Sequence, residues 1–118
     1  MSEGPHILIV EARFYTDVAD DLLRGARAVL DAASATFDRV SVPGSFEVPA
    51  AIRFALNNGS RDGRLYDGVI ALGCVIRGET DHYDHICRET SRALMDLALH
   101  DGLALGFGIL TCDTRAQP

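Results

Sequence analysis

The sequence predicts a small three-layer α/β domain of doubly wound type, built on a four-stranded parallel sheet. Short runs rich in Ile, Leu and Val alternate with longer segments whose apolar residues recur every three or four positions. The resulting order is βαβαβαβ. The strand runs also read apolar on both faces, as they do when helices cover a parallel sheet and the crossovers are right-handed. A chain of 118 residues fits one domain, 1–118, with a single modest core.

The first run, His6–Ala12, reads as a buried strand. From Asp17 to Ala33 the apolar residues Val18, Leu22, Ala26, Val29 and Ala33 share one face of a helix, with Thr16 or Asp17 as its cap. Phe37–Val42 is the second strand. Phe46–Asn58 returns to helical spacing through Val48, Ile52 and Ala55, with Pro49 tolerable in a first turn. Asn57, Asn58 and Gly59 end that helix with residues that accept a left-handed backbone. A polar loop, Ser60–Leu65, precedes the strongest strand, Tyr66–Ile76. Asp84–His100 is the third helix, with Ile86, Thr90, Ala93, Leu94 and Leu97 facing inward. Asp101 and Gly102 stop it, and Leu103–Leu110 is the fourth strand. A helix should follow that strand and pack back on the sheet. The sequence given stops at Pro118, so one face of the sheet is expected to be under-covered, from a shortened chain, a partner subunit or both.

Charge narrows the partners. The formal net charge is -6, and all eleven basic residues are scattered arginines. Nucleic acid and anionic membrane both call for clustered cations, so neither is expected as a main partner. The longest apolar run, near Val69–Ile76, is too short to span a bilayer. Cys74, Cys87 and Cys112 form no close pair and read as reduced thiols of a cytoplasmic protein with no secretion signal.

In an open parallel sheet, ligands bind outside the carboxyl ends of the strands. Those exits carry Ala12–Tyr15, Val42–Pro49, Ile76–His85 and Thr111–Thr114. Aromatic, carboxylate, glycine and imidazole groups thus converge on one rim, which points to a small-molecule site. Gly78, Glu79 and Thr80 lie just before the third helix, where backbone N–H groups suit a phosphate; the plainer reading is a capped strand-to-helix turn. No GxxxxGK[ST] or GxGxxG is present, so a nucleotide is not indicated. His82 is the natural proton-transfer group, or else a solvent-facing histidine at a helix start. His82, Asp84 and His85 match no metal-ligand spacing, and no metal or cofactor is expected. Phe14 and Phe46 either stack on a flat heterocycle or pack in the core. Glu47 either accepts ligand hydroxyls or favours the positive end of the second helix. Cys74 reads as a buried, unreactive thiol.

Taken together, these loops resemble the lumazine synthase family. The resemblance rests on Ala12–Phe14, Val42–Pro49, Phe107–Thr111 and above all the long block Gly73-Cys74-Val75-Ile76-Arg77-Gly78-Glu79-Thr80-Asp81-His82-Tyr83-Asp84. It covers essentially the whole chain. It implies a flavodoxin-like sheet and condensation of 5-amino-6-ribitylaminouracil with 3,4-dihydroxy-2-butanone 4-phosphate to 6,7-dimethyl-8-ribityllumazine. By that likeness Phe14 would stack on the pyrimidinedione. Ser45, Phe46 and Glu47 would hold the same substrate, Glu47 at the ribityl hydroxyls. The backbone around Cys74, Val75 and Ile76 would read the ring edge. Glu79 and Thr80 would cradle the phosphate, His82 would donate the proton, and Phe107 would reach the site of a neighbour in a pentamer.

The pattern differs at Tyr15, where the family usually has asparagine, a change that need not touch the ligand. The family also continues past Gln117 with alanine, a phosphate-gripping arginine and further helices. A chain ending at Pro118 is expected to hold phosphate more weakly. The alternatives to an enzyme are a relative that binds lumazine or riboflavin without turnover, and a shell-forming subunit.

Overall fold

In the computed structural model, residues 4–58, 65–76, 83–101 and 104–112 are described. They form β1 (His6–Ala12), α1 (Thr16–Ala32), β2 (Thr36–Val42), a 3₁₀ turn at Ser45–Glu47, α2 (Val48–Asn58), β3 (Gly68–Ile76), α3 (Tyr83–Asp101) and β4 (Leu105–Cys112). All pairings are parallel and the strand order is β2-β1-β3-β4. This is the flavodoxin-like arrangement. Its strand order reverses between β1 and β3, because the chain steps outward from β1 to β2 and then crosses back.

The two central strands fit the apolar-on-both-faces reading. Leu8, Val10, Ala12, Val69, Ala71 and Val75 pack with Val48 and Ile52 of α2 and Leu94 of α3. Ile9 and Leu72 face the other way, against Leu23 and Leu30 of α1. Each fully buried Leu, Ile or Val side chain contributes about 2 kcal/mol from loss of water contact. Among the described residues, α1 is the one helix on its side, while α2 and α3 share the other.

β2 departs from the expectation. Its residues are half-buried or exposed and none is fully buried, since among the described residues it is an edge strand with a neighbour on one side only. The face of α1 agrees with the expectation at Val18, Leu22 and Ala26, which are half-buried against the core, and differs elsewhere. Ala19, Leu23 and Leu30 are its buried residues, whereas Val29 is 69% exposed and Ala33 is exposed too. The buried face is the predicted one turned toward Leu23 and Leu30, so Leu22 and Ala26 still pack against the cluster of Ile9 and Leu72 while Val29 and Ala33 turn outward.

Boundaries move for local reasons. α1 starts at Thr16 with Tyr15 at its N-cap and no side-chain cap there, so neither Thr16 nor Asp17 holds that place. Its end closes through Ser34 N–H to Asp31 O (3.1 Å) and Ala35 N–H to Leu30 O (2.9 Å). Ser34 takes the left-handed position of that motif at φ 55°, where glycine is the usual residue. The predicted start of the second helix is the 3₁₀ turn, and Pro49 falls in the first turn of α2 as expected. β3 begins at Gly68 because Tyr66 and Asp67 are engaged elsewhere. His6 N–H donates to Asp67 Oδ2 (2.7 Å), and Tyr66 stacks on the His6 ring at 5.1 Å while its hydroxyl donates to Asp38 Oδ2 (2.6 Å). That cluster ties together the amino ends of the strands, the end away from the strand exits.

Candidate active site

The carboxyl ends of β1, β2 and β3 open into a pocket of about 330 Å³. Phe14 and Tyr15 enter it from β1. Pro43 to Glu47 enter from β2 and the 3₁₀ turn. Cys74 and Val75 come from β3 and Ile86 from α3. The pocket therefore straddles the point where the strand order reverses, which is where an open α/β sheet leaves a crevice for ligands.

Its walls are aromatic and its floor is tight. Phe14 is 60% and Phe46 49% exposed, so neither packs in the core. Phe46 stacks on His85 of α3, ring centroids 5.7 Å apart, and Phe14 meets Tyr15 edge-on at 4.9 Å. Large apolar rings left open beside a concavity are surfaces for a flat partner. Ser45 lies at the bottom, buried, and its Oγ has no hydrogen-bond partner among the described residues. Its carbonyl accepts from Thr90 Oγ1 of α3 at 3.4 Å. A buried hydroxyl left unpaired costs free energy, which a ligand hydrogen bond would recover.

The 3₁₀ turn holds its shape through Glu47. Glu47 N–H donates to Gly44 O (3.2 Å), and Gly44 N–H donates back to Glu47 Oε1 (3.0 Å). One carboxylate oxygen is thereby committed to the backbone at the turn. Gly73 of β3 lies under this turn, and a Cβ placed on it would meet Ser45 Oγ at 2.6 Å and Ala12 Cβ at 3.2 Å. Glycine at that position lets the turn sit directly on the sheet.

Below the β1 exit runs a charged network that the sequence reading did not single out. Glu11 is only 1% exposed. It accepts from Arg13 and pairs with Arg39 through its two oxygens, with Ser41 Oγ donating at 3.1 Å. Arg13 also donates to Asp20 of α1, and its backbone N–H donates to Val42 O at 3.0 Å. The Asp20 hydrogen bond first, and the Glu11 one second, raise the Arg13 guanidinium above its ordinary value against the effect of burial. Arg13 is thus held charged between two carboxylates, one on β1 and one on α1, beside the turn that carries Phe14. The signal in the sequence was a lone carboxylate, Glu11, within an apolar strand.

The sequence matches the family profile described as 6,7-dimethyl-8-ribityllumazine synthase over residues 4–118. It is 57% identical over 113 residues to the 6,7-dimethyl-8-ribityllumazine synthase of Agrobacterium fabrum, covering 96% of this chain and 76% of that protein. It is 59% identical over 112 residues to 6,7-dimethyl-8-ribityllumazine synthase 1 of Rhizobium meliloti, covering 95% and 73%. With the Nitrobacter winogradskyi protein of the same name the identity is 55% over 114 residues, covering 97% and 70%. The chain belongs to the 6,7-dimethyl-8-ribityllumazine synthase family.

Of the positions carried over from the lumazine synthase likeness, Phe14, Ser45, Phe46, Glu47, Cys74 and Val75 come together in the one pocket. Ile76 sits one step further along β3, buried with Cys74 against Tyr15, Val18 and Leu110. Phe107 does not line this pocket; it stands half-exposed on the edge strand β4. Glu79, Thr80 and His82 lie outside the described residues, so the phosphate cradle and the proton donor of the likeness have no structural account here. Tyr15, Pro43, Gly44 and Ile86 line the pocket as well. Tyr15, where this chain departs from the family pattern, is thus one of the pocket's lining residues. Among the described residues no cluster of three or more His, Cys, Asp or Glu could hold a metal, and no helix is long and apolar enough to cross a membrane.

Proposed function

We propose that this chain condenses 5-amino-6-ribitylaminouracil with 3,4-dihydroxy-2-butanone 4-phosphate to 6,7-dimethyl-8-ribityllumazine, in the penultimate step of riboflavin biosynthesis. The family supports the reaction. The observation that carries the site is the pocket at the β1, β2 and β3 exits, walled by exposed Phe14 and Phe46 over the buried Ser45 hydroxyl, which has no partner among the described residues.

The aromatic amine adds to the ketone and water leaves, giving an imine. Phosphate is then eliminated, leaving an enol that tautomerises to a new ketone, and the ribitylamino nitrogen closes on that carbon with loss of a second water. None of these steps needs an enzyme nucleophile. Holding the two reactants together and moving protons suffices. In this reading Phe14 stacks on the pyrimidinedione, Ser45 and Phe46 hold it, and the other oxygen of Glu47 takes the ribityl hydroxyls. The backbone at Cys74, Val75 and Ile76 reads the ring edge. Glu79 and Thr80 bind the phosphate and His82 donates the proton. Phe107, open on the β4 edge, serves a neighbouring subunit in a pentamer or larger assembly. The enzyme acts in the cytoplasm.

Supplying both substrates and measuring two products tests the proposal. Lumazine and inorganic phosphate should appear one for one. Phosphate released without lumazine, or neither product above background, would refute it.

A further inference from the structure

Arg13, Phe14 and Tyr15 are the whole connection between β1 and α1. Tyr15 occupies the N-cap of α1 at φ −107° and ψ 96°, with no side-chain cap. An N-cap normally takes a small polar residue, whose oxygen accepts one of the unpaired N–H groups of the first turn. A tyrosine ring cannot do that. The ring instead packs against Cys74 and Ile76 beside Val18 and Leu110. It also meets Phe14 edge-on at 4.9 Å and lines the pocket. The position thus forgoes a helix cap and places an aromatic wall between the sheet and the exposed Phe14 ring.

We propose that Tyr15 is a positioning residue of the ring site: its ring braces Phe14 and closes the pocket over Cys74. The stacking surface is then in place before a ligand arrives. An unbraced Phe14, more than half exposed, would have to give up rotamer freedom on binding, and that loss weakens affinity. The inference rests on the proposed ring site and adds to it the residue that shapes its wall.

The test is calorimetric titration of 6,7-dimethyl-8-ribityllumazine into the full chain and its variants, with Tm measured alongside. Tyr15→Leu should weaken binding roughly fivefold, the scale of an aromatic pair. Tyr15→Phe keeps the ring and should restore the affinity. Tyr15→Asn should weaken binding while holding or raising Tm, since asparagine is a good cap. A merely structural tyrosine would lower both together. Phe14→Leu with Tyr15→Leu should bind no worse than Phe14→Leu alone, because a brace has no effect without the ring it braces. Parental affinity in Tyr15→Leu, or fully additive losses in the double variant, would overturn the role of Tyr15. Parental affinity in Phe14→Leu would instead overturn the ring site itself.

Discussion

Gly73 and Ser45 are in contact across the floor of the pocket, so closely that a methyl group on Gly73 would stand 2.6 Å from Ser45 Oγ. Neither partner can yield easily, since Ser45 is buried and anchored to α3 through its carbonyl. Gly73→Ala should therefore destabilise the fold by about 1–3 kcal/mol, the usual cost of overpacking. Ser45→Ala removes the hydroxyl that clashes and should recover most of that loss in the double variant. Urea unfolding of the four proteins of this cycle checks it. Equal and additive losses would mean that the two residues do not share the strain.

The aromatic walls separate binding from stability. Phe14 and Phe46 are both about half exposed or more, so replacing either with alanine should change stability by less than about 1 kcal/mol. Each replacement should weaken lumazine binding roughly five- to tenfold through lost stacking. Calorimetry and thermal unfolding on the same samples check both halves. A large fall in Tm with unchanged affinity would return these rings to the core.

Glu11 makes the opposite prediction. Its carboxylate is buried and meets two guanidinium groups and a hydroxyl. Glu11→Ala leaves Arg39 and Ser41 without that partner and should cost about 3 kcal/mol. The loss is at the low end of buried-pair deletions, because Arg13 keeps Asp20. Glu11→Gln should cost less. Denaturant midpoints read the difference, and a neutral Glu11→Ala would show that the network does not brace the β1–α1 connection.

Much of this was written in the sequence. β3 is a continuous apolar run and β1 is apolar from Ile7 to Val10, as strands buried on both sides must be, so the core and the strand exits followed directly. The pocket residues were legible because position in a parallel sheet predicts where ligands bind, whatever each residue does individually. What periodicity could not decide was the centre of the buried face of α1. Leu22 and Ala26 of the predicted face do pack against the cluster of Ile9 and Leu72, but the face is centred on Leu23 and Leu30, which leaves Val29 outside it. The N-cap at Tyr15 was hidden for a similar reason. Local preference favours Thr16 or Asp17, but the ring gains contacts with Cys74 and Ile76 that lie far away in sequence. Strand order and the Gly73–Ser45 contact are also properties of packing, invisible before the crossovers are placed.

The proton-donor role proposed for His82 gives a kinetic prediction. His82→Ala should slow turnover roughly ten- to a hundredfold, towards the low end for a positioned acid, because an amine and a ketone react unaided. The affinity for the pyrimidine substrate should change little. Initial rates and calorimetry together check this, and turnover at the parental rate would remove His82 from the mechanism.

The measurement closest to the central claim is an absorbance assay of lumazine formation from the two substrates by the unmodified chain. The account predicts initial rates proportional to protein and well above the uncatalysed reaction. A rate equal to background, with the pyrimidine still bound, would contradict it and leave the pocket a binding site without chemistry.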